Sequence, residues 1–332
     1  MLEKTQELNS IFLAYKISAV CLNYQESNNY CFYNVRLNPR TRIKDLEKFS
    51  IEIGLALRAP GKPSIALIPE EGAVRLEFFK TQSKRVDLFD LFTNKNLPKN
   101  GLFCLLGQTI KGENLWFDLA QAPHLLIAGT TGSGKSTLLH TLLGNLLNYH
   151  QVKLYLMDPK NIEFCTYSNN IGRDLQVCSN YTDCLQMLDT LCQIMEQRYA
   201  SLRSNIELES LPHIVIMIDE FSDLILQDKE NQFYEKLCRL AQKCRAARMH
   251  IILGTQRPSV DIISGTIKAN FPARIACKTA SGVDSKVILD AVGAEHLVGR
   301  GDSFLRLNGG SLQRFQAAYT DASEVCKYFG KL

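Results

Sequence analysis

Residues 123–139 read PHLLIAGTTGSGKSTLL, and this segment constrains the fold more than any other. His124 to Ala128 is a short apolar strand, Gly129 to Lys135 a glycine-rich loop, and a helix begins directly after it. Gly129, Gly134, Lys135 and Ser136 fit the spacing G-x-x-x-x-G-K-[ST], a loop that holds nucleotide phosphates. Glycines let the backbone turn tightly and aim N–H groups at phosphate oxygens. The helix adds the positive end of its dipole. Gly129, Thr130, Thr131, Gly132, Ser133, Gly134, Lys135, Ser136 and Thr137 are therefore expected to cradle ATP. Lys135 would supply charge to the β- and γ-phosphates, and the Ser136 hydroxyl would help hold Mg²⁺.

A second chemical element is Ile214 to Glu220, five apolar residues followed by Asp219 and Glu220. Alone, such a run also describes a helix start that favours acids. With a phosphate loop upstream, it reads as a buried strand carrying two carboxylates to the edge of a sheet where ligands bind. Asp219 would share the Mg²⁺ shell with Ser136, and Glu220 would act as general base on the attacking water.

The flanking residues carry a resemblance. DLAQAPHLLIA before the loop, DPK at Asp158 to Lys160, IVIMIDEFSDL, the long segment from Ala241 to Ala276 and DSKVILDAVGAEHLVGRGDSFL resemble the FtsK/SpoIIIE family of DNA-pumping motors. The similarity runs over roughly residues 30 to 325 and is weakest at the start. It implies an α/β fold: a RecA-like P-loop NTPase core with a mainly parallel sheet, preceded by a smaller α+β domain that forms a collar. It also implies ATP hydrolysis coupled to movement along double-stranded DNA by a ring, expected to be a hexamer. Gln256 would sense the γ-phosphate, and Arg245 would serve as an arginine finger acting across a subunit interface, with Arg248 and Arg274 as alternatives. Arg248 stands where the family usually has glycine. DNA contacts would come from Arg257, Lys268 and Lys286. Lys286 replaces an arginine usual in the family, and Gly282 stands where a loop lysine is common, which thins the basic lining.

The domains are expected at 1–100 and 101–332, with a linker near Asn94 to Gly101 (NKNLPKNG). Strands are expected at Tyr30–Leu37, Pro63–Pro69 and Val74–Phe79, with one helix over Ile43–Leu57. Beyond residue 102 the pattern is strand–helix alternation. It has strands at Leu125–Ala128, Val152–Met157, Ile214–Ile218 and Ile251–Gly254, and helices over Ser136–Leu147, Thr182–Leu202 and Gln232–Ala247. His213 and His250 precede core strands and read as structural.

Net charge is only +4, and the whole excess lies within the first third, notably at Arg36, Arg40, Arg42, Lys44 and Lys48. That patch reads equally as a DNA face, a solvated surface or a subunit contact. Eleven scattered cysteines without a C-x-x-C pair argue for thiols in a reducing cytoplasm rather than a zinc site. Apolar runs are too short to span a bilayer. The chain thus reads as a soluble motor module or a piece of something longer, with any membrane anchor belonging to a partner protein. A second functional class stays open: a coupling ATPase of a secretion or conjugation system, recruiting protein or relaxase-bound DNA.

Overall fold

The computed structural model describes residues 2–92, 101–168, 174–204 and 211–330. The N-terminal part holds α1 (Leu2–Ala14), β1 (Ala19–Glu26), β2 (Tyr30–Leu37), α2 (Ile43–Lys48), α3 (Ser50–Ala56), β3 (Ser64–Ile68), β4 (Ala73–Phe79) and α4 (Leu88–Leu91). Then come β5 (Phe103–Thr109), β6 (Asn114–Asp118), β7 (His124–Ala128), α5 (Lys135–Leu146), β8 (Val152–Met157), β9 (Leu175–Cys178) and α6 (Tyr181–Arg203). They are followed by β10 (His213–Ile218), α7 (Phe221–Gln227), α8 (Gln232–Lys243) and β11 (Met249–Thr255). The chain finishes with α9 (Gly265–Asn270), β12 (Ala273–Ala276), α10 (Gly282–Leu289), β13 (Asp302–Leu307), β14 (Gln313–Ala317) and α11 (Ala322–Phe329).

The large sheet has ten strands in the order β6-β5-β14-β13-β12-β7-β11-β10-β8-β9. From β12 to β9 every pairing is parallel. The apolar strands owe their place to burial on both faces. Side chains alternate in direction along a strand. Ile214, Ile216, Ile218, Ile251 and Leu253 accordingly join a core with α6 and α8. Val215, Met217 and Ile252 join the opposite core with Leu138, Leu142 and Phe164. The α/β expectation therefore holds.

Three differences from the sequence reading have physical causes. The other end of the sheet, β13 through β6, is antiparallel, and β5 and β6 form a hairpin where strand–helix alternation was expected. The single helix expected over 43–57 breaks at Phe49, whose φ of −103° and ψ of 16° let its ring pack 5.3 Å from Tyr15. The helix expected to reach Ala247 ends at Lys243. A tight turn follows, with Arg248 in the left-handed region (φ 55°). A glycine is the relaxed residue for that conformation. The expected linker lies largely outside the described residues.

His213 and His250 are structural. Their rings bond at 2.9 Å, and Arg248 donates to His213 at 2.8 Å. Burial lowers His250 to about 3 and His213 to about 4, so both are neutral near pH 7.

The four-stranded sheet, ordered β1-β2-β4-β3, covers its own core with α1 to α3. One buried cation ties it to the large sheet. Arg314 on β14 donates to Asp302 at 2.9 and 2.7 Å, to the Ser64 hydroxyl at 2.9 Å and to the Glu77 carbonyl at 3.0 Å. Tyr30 on β2 donates to the same Asp302 at 2.8 Å. Nearby, burial raises the Glu77 carboxyl in spite of Arg314. Removing one member of such a cluster leaves a buried uncompensated charge, which costs about 3–5 kcal/mol. Urea unfolding of Arg314→Ala should show a loss of that size; a change under about 1 kcal/mol would contradict the role given to this cluster.

Candidate active site

The loop between β7 and α5 takes its shape from contacts on both sides. Gly134 has φ 108°, and a β-carbon there would lie 2.5 Å from the Gly301 nitrogen. A β-carbon on Gly129 would lie 2.7 Å from that of Cys277. The loop is pinned by Thr130 N–H donating to the Lys278 carbonyl at 2.9 Å and by Gly301 N–H donating to the Ser133 carbonyl at 3.0 Å. No side chain caps α5. Its first N–H groups are thus left for an anion.

The parallel pairing brings the other predicted residues alongside. The Lys135 ammonium, buried with Asp219, donates to the Asp219 carboxylate at 2.5 Å and to its carbonyl at 2.9 Å. Burial raises the Asp219 carboxyl and the lysine opposes that shift. Glu220, 1% exposed, accepts from Ser222 at 2.7 Å, from Thr255 at 2.8 Å and from the Gln256 backbone N–H at 3.0 and 2.9 Å. The Gln256 amide oxygen accepts from Thr131 at 2.7 Å, which links the predicted sensor to the phosphate loop.

Ser136 donates to the Glu163 carboxylate at 2.6 Å. Sequence reasoning missed Glu163 because it follows DPK in an irregular segment with no periodicity to mark it. A hydrogen bond from His140, then burial opposing it and the Ser136 hydroxyl, leave its carboxyl at about 2. The oxygen donors of Ser136 and Asp219 suit a hard cation such as Mg²⁺. Among the described residues no cluster of three or more His, Cys, Asp or Glu would cage a metal unaided. A Mg²⁺ site that takes most of its shell from phosphate and water has that character.

A cavity of about 980 Å³ opens over the loop. Its far wall includes Lys84, Arg85, Arg300 and Tyr319, none of them foreseen. The Arg85 guanidinium lies 3.5 Å from the Tyr319 ring centre. This is room for a nucleotide's base and sugar beyond its phosphates.

The remaining predicted residues lie elsewhere. Arg245 is exposed in the turn before β11, whereas Gln256 follows that strand. Seven residues of strand separate the two by about 23 Å, at roughly 3.3 Å per residue. Arg245 therefore cannot reach its own phosphate loop, and among the described residues it has no ion pair. The alternatives are engaged: Arg248 with His213, Arg274 with the Lys268 carbonyl at 2.9 Å and with Asp290 at 2.6 Å. Arg257 is exposed just past β11, and Lys286 is exposed on α10. Lys268 is paired with Asp290, which also takes Arg274 and lies 3.8 Å from Arg306.

The FtsK/SpoIIIE family pattern matches residues 93–206 and 203–260. A DNA translocase FtsK from Chlamydia trachomatis is 34% identical over 98% of this chain and 44% of its own length. One from Listeria monocytogenes is 36% identical over 88% of this chain and 42% of its own length. The chain thus spans under half the length of these relatives. Among solved structures, the pCW3 conjugation coupling protein TcpA, a monomer form with ATPγS, superposes with a TM-score of 0.70 at 23% identity. That match covers 99% of both chains. The TcpA likeness establishes the fold, and the sequence relatives establish the lineage: this chain belongs to the FtsK/SpoIIIE family.

Proposed function

We propose that the chain is the motor of an ATP-driven double-stranded DNA translocase. The observation that carries this reading is the convergence of Lys135, Ser136, Asp219, Glu220 and Gln256 beneath one large cavity. Relatives named DNA translocases support the DNA part. The division at about residue 100 into a collar and a motor, a cytoplasmic location, a hexameric ring and a membrane-anchored partner belong to the same proposal. No helix among the described residues is long and apolar enough to cross a membrane.

In this reading, arriving phosphates draw the Lys135 ammonium away from Asp219. Mg²⁺, held by Ser136 and Asp219 together with phosphate oxygens, would offset the charge on the transferring group. Glu220, held by its three donor residues, takes a proton from water as the water oxygen attacks the γ-phosphorus and the bond to the ADP oxygen breaks. Arg245 supplies positive charge to the nucleotide of a neighbouring subunit. Arg257, Lys268 and Lys286 meet the DNA backbone.

Lys135→Ala should abolish hydrolysis. Glu220→Gln should bind ATP normally and turn it over at least about 10²-fold more slowly. ATP affinity and turnover measured on each variant check both statements, and parental turnover by Glu220→Gln would remove Glu220 from its role.

Arg245→Ala and Lys135→Ala proteins should each be inactive alone and recover ATPase activity when mixed, because some interfaces then pair an intact Lys135 with an intact Arg245. An arginine finger contributes about 10³–10⁵ in rate, so recovery stands well above background. Mixed rings that stay inactive would exclude a trans role.

Duplex DNA should stimulate hydrolysis and bind with little sequence preference, since phosphate contacts carry no base information. Arg257→Ala should lower the slope of log affinity against log salt by about one. Lys268→Ala should lower it by less, because Asp290 already holds that ammonium in the DNA-free chain. Stimulation by a protein partner and none by DNA would favour the coupling ATPase instead.

A further inference from the structure

Glu163 lies outside the phosphate loop and outside the Asp219–Glu220 pair, yet it makes the shortest contact to the hydroxyl assigned to the metal. Its carboxylate bridges two groups: the Ser136 hydroxyl at 2.6 Å on one oxygen and the His140 Nε2 at 3.2 Å on the other. The His140 Nδ1 meets the Tyr167 hydroxyl at 2.7 Å, and Tyr167 is fully buried. His140 stands one turn along α5 from Ser136. The carboxylate is thereby anchored to the same helix that carries the hydroxyl.

A serine hydroxyl has one proton and two lone pairs. To ligate a cation it must turn a lone pair toward the metal and its proton elsewhere. An acceptor held on the side away from the metal fixes that rotor. We propose that Glu163 is a positioning residue, anchored by His140 and Tyr167, that orients the Ser136 hydroxyl for the divalent cation of the nucleotide site. The inference rests on the nucleotide reading given above. It requires no direct bond from Glu163 to the metal.

The test uses the full chain and the fluorescent analogue mant-ATP, titrated with and without MgCl₂, with EDTA as the metal-free arm. Glu163→Ala should raise the Mg²⁺ concentration for half-maximal binding about 10–100-fold, the usual loss when a partner of a metal ligand is removed. Binding in EDTA should stay at the parental level. Glu163→Gln keeps an acceptor oxygen for Ser136 and should recover most of the loss. In a Ser136→Ala background, Glu163→Ala should add nothing, since the residue acts through that hydroxyl.

An unchanged Mg²⁺ requirement, or an equal loss in EDTA, would overturn the proposal. An undiminished effect in the Ser136→Ala background would overturn it too, by making Glu163 a direct ligand. Should Glu163→Ala unfold, His140→Gln loosens the anchor and spares the carboxylate. It should give a smaller loss of the same Mg²⁺-dependent kind, and no shift there would count against the proposal. Parental protein that binds no mant-ATP in any arm would overturn the nucleotide reading and this inference with it.

Discussion

The site depends on the hydrogen-bond register of three parallel strands. Ala128 of β7 stands opposite Thr255 of β11, and Leu253 of β11 stands opposite Ile218 of β10. That register makes the phosphate loop, the acid pair and Gln256 leave the sheet at one edge, side by side. It also places Thr255 where its hydroxyl reaches Glu220 at 2.8 Å. A slip of one residue between strands would exchange the two faces. If β10 slipped, Ile216 would turn toward the α5 core and Val215 toward the α6–α8 core; if β11 slipped, Ile251 and Ile252 would exchange in the same way. The two hydrophobic cores hold the alignment that the chemistry needs, so packing and catalysis share one constraint.

This division explains what the sequence discloses. Strands buried on both faces are written as apolar runs, and β7, β8, β10 and β11 are legible for that reason. The antiparallel wing is not: β13 and β14 carry Asp302, Arg314 and Gln316, buried polar residues that find partners in Tyr30, in Ser64 and Glu77, and in the Arg300 carbonyl. Partners distant in sequence leave no periodic trace. The same holds for Glu163, 27 residues from Ser136, and for Tyr319 under Arg85. Phosphate-loop and acid-pair residues are legible for the opposite reason, because their spacing is local.

The charge pattern offers a related lesson. The sequence suggests a thin basic lining, and the structure draws part of it inward. Asp290, itself at φ 55°, ends α10 and gathers Lys268 and Arg274. Hydrogen bonds from Lys268 and Arg274 outweigh partial burial and hold its carboxyl below the ordinary range. Cations counted along the chain overstate those offered to a polyanion. Arg257 and Lys286, exposed and outside any ion pair of the described residues, are the ones left over.

The short path from Ser133 to β2 has a mechanical consequence. Ser133 is bonded to Gly301, the next residue is Asp302, and Asp302 holds both Arg314 and Tyr30. Each link is a directional bond between buried or tightly packed groups, with no slack segment between them. Any displacement of the Ser133 backbone would therefore load the Asp302 bonds to Arg314 and Tyr30 with no intervening loop of chain. The small sheet and the phosphate loop are thereby joined through two adjacent residues, Gly301 and Asp302.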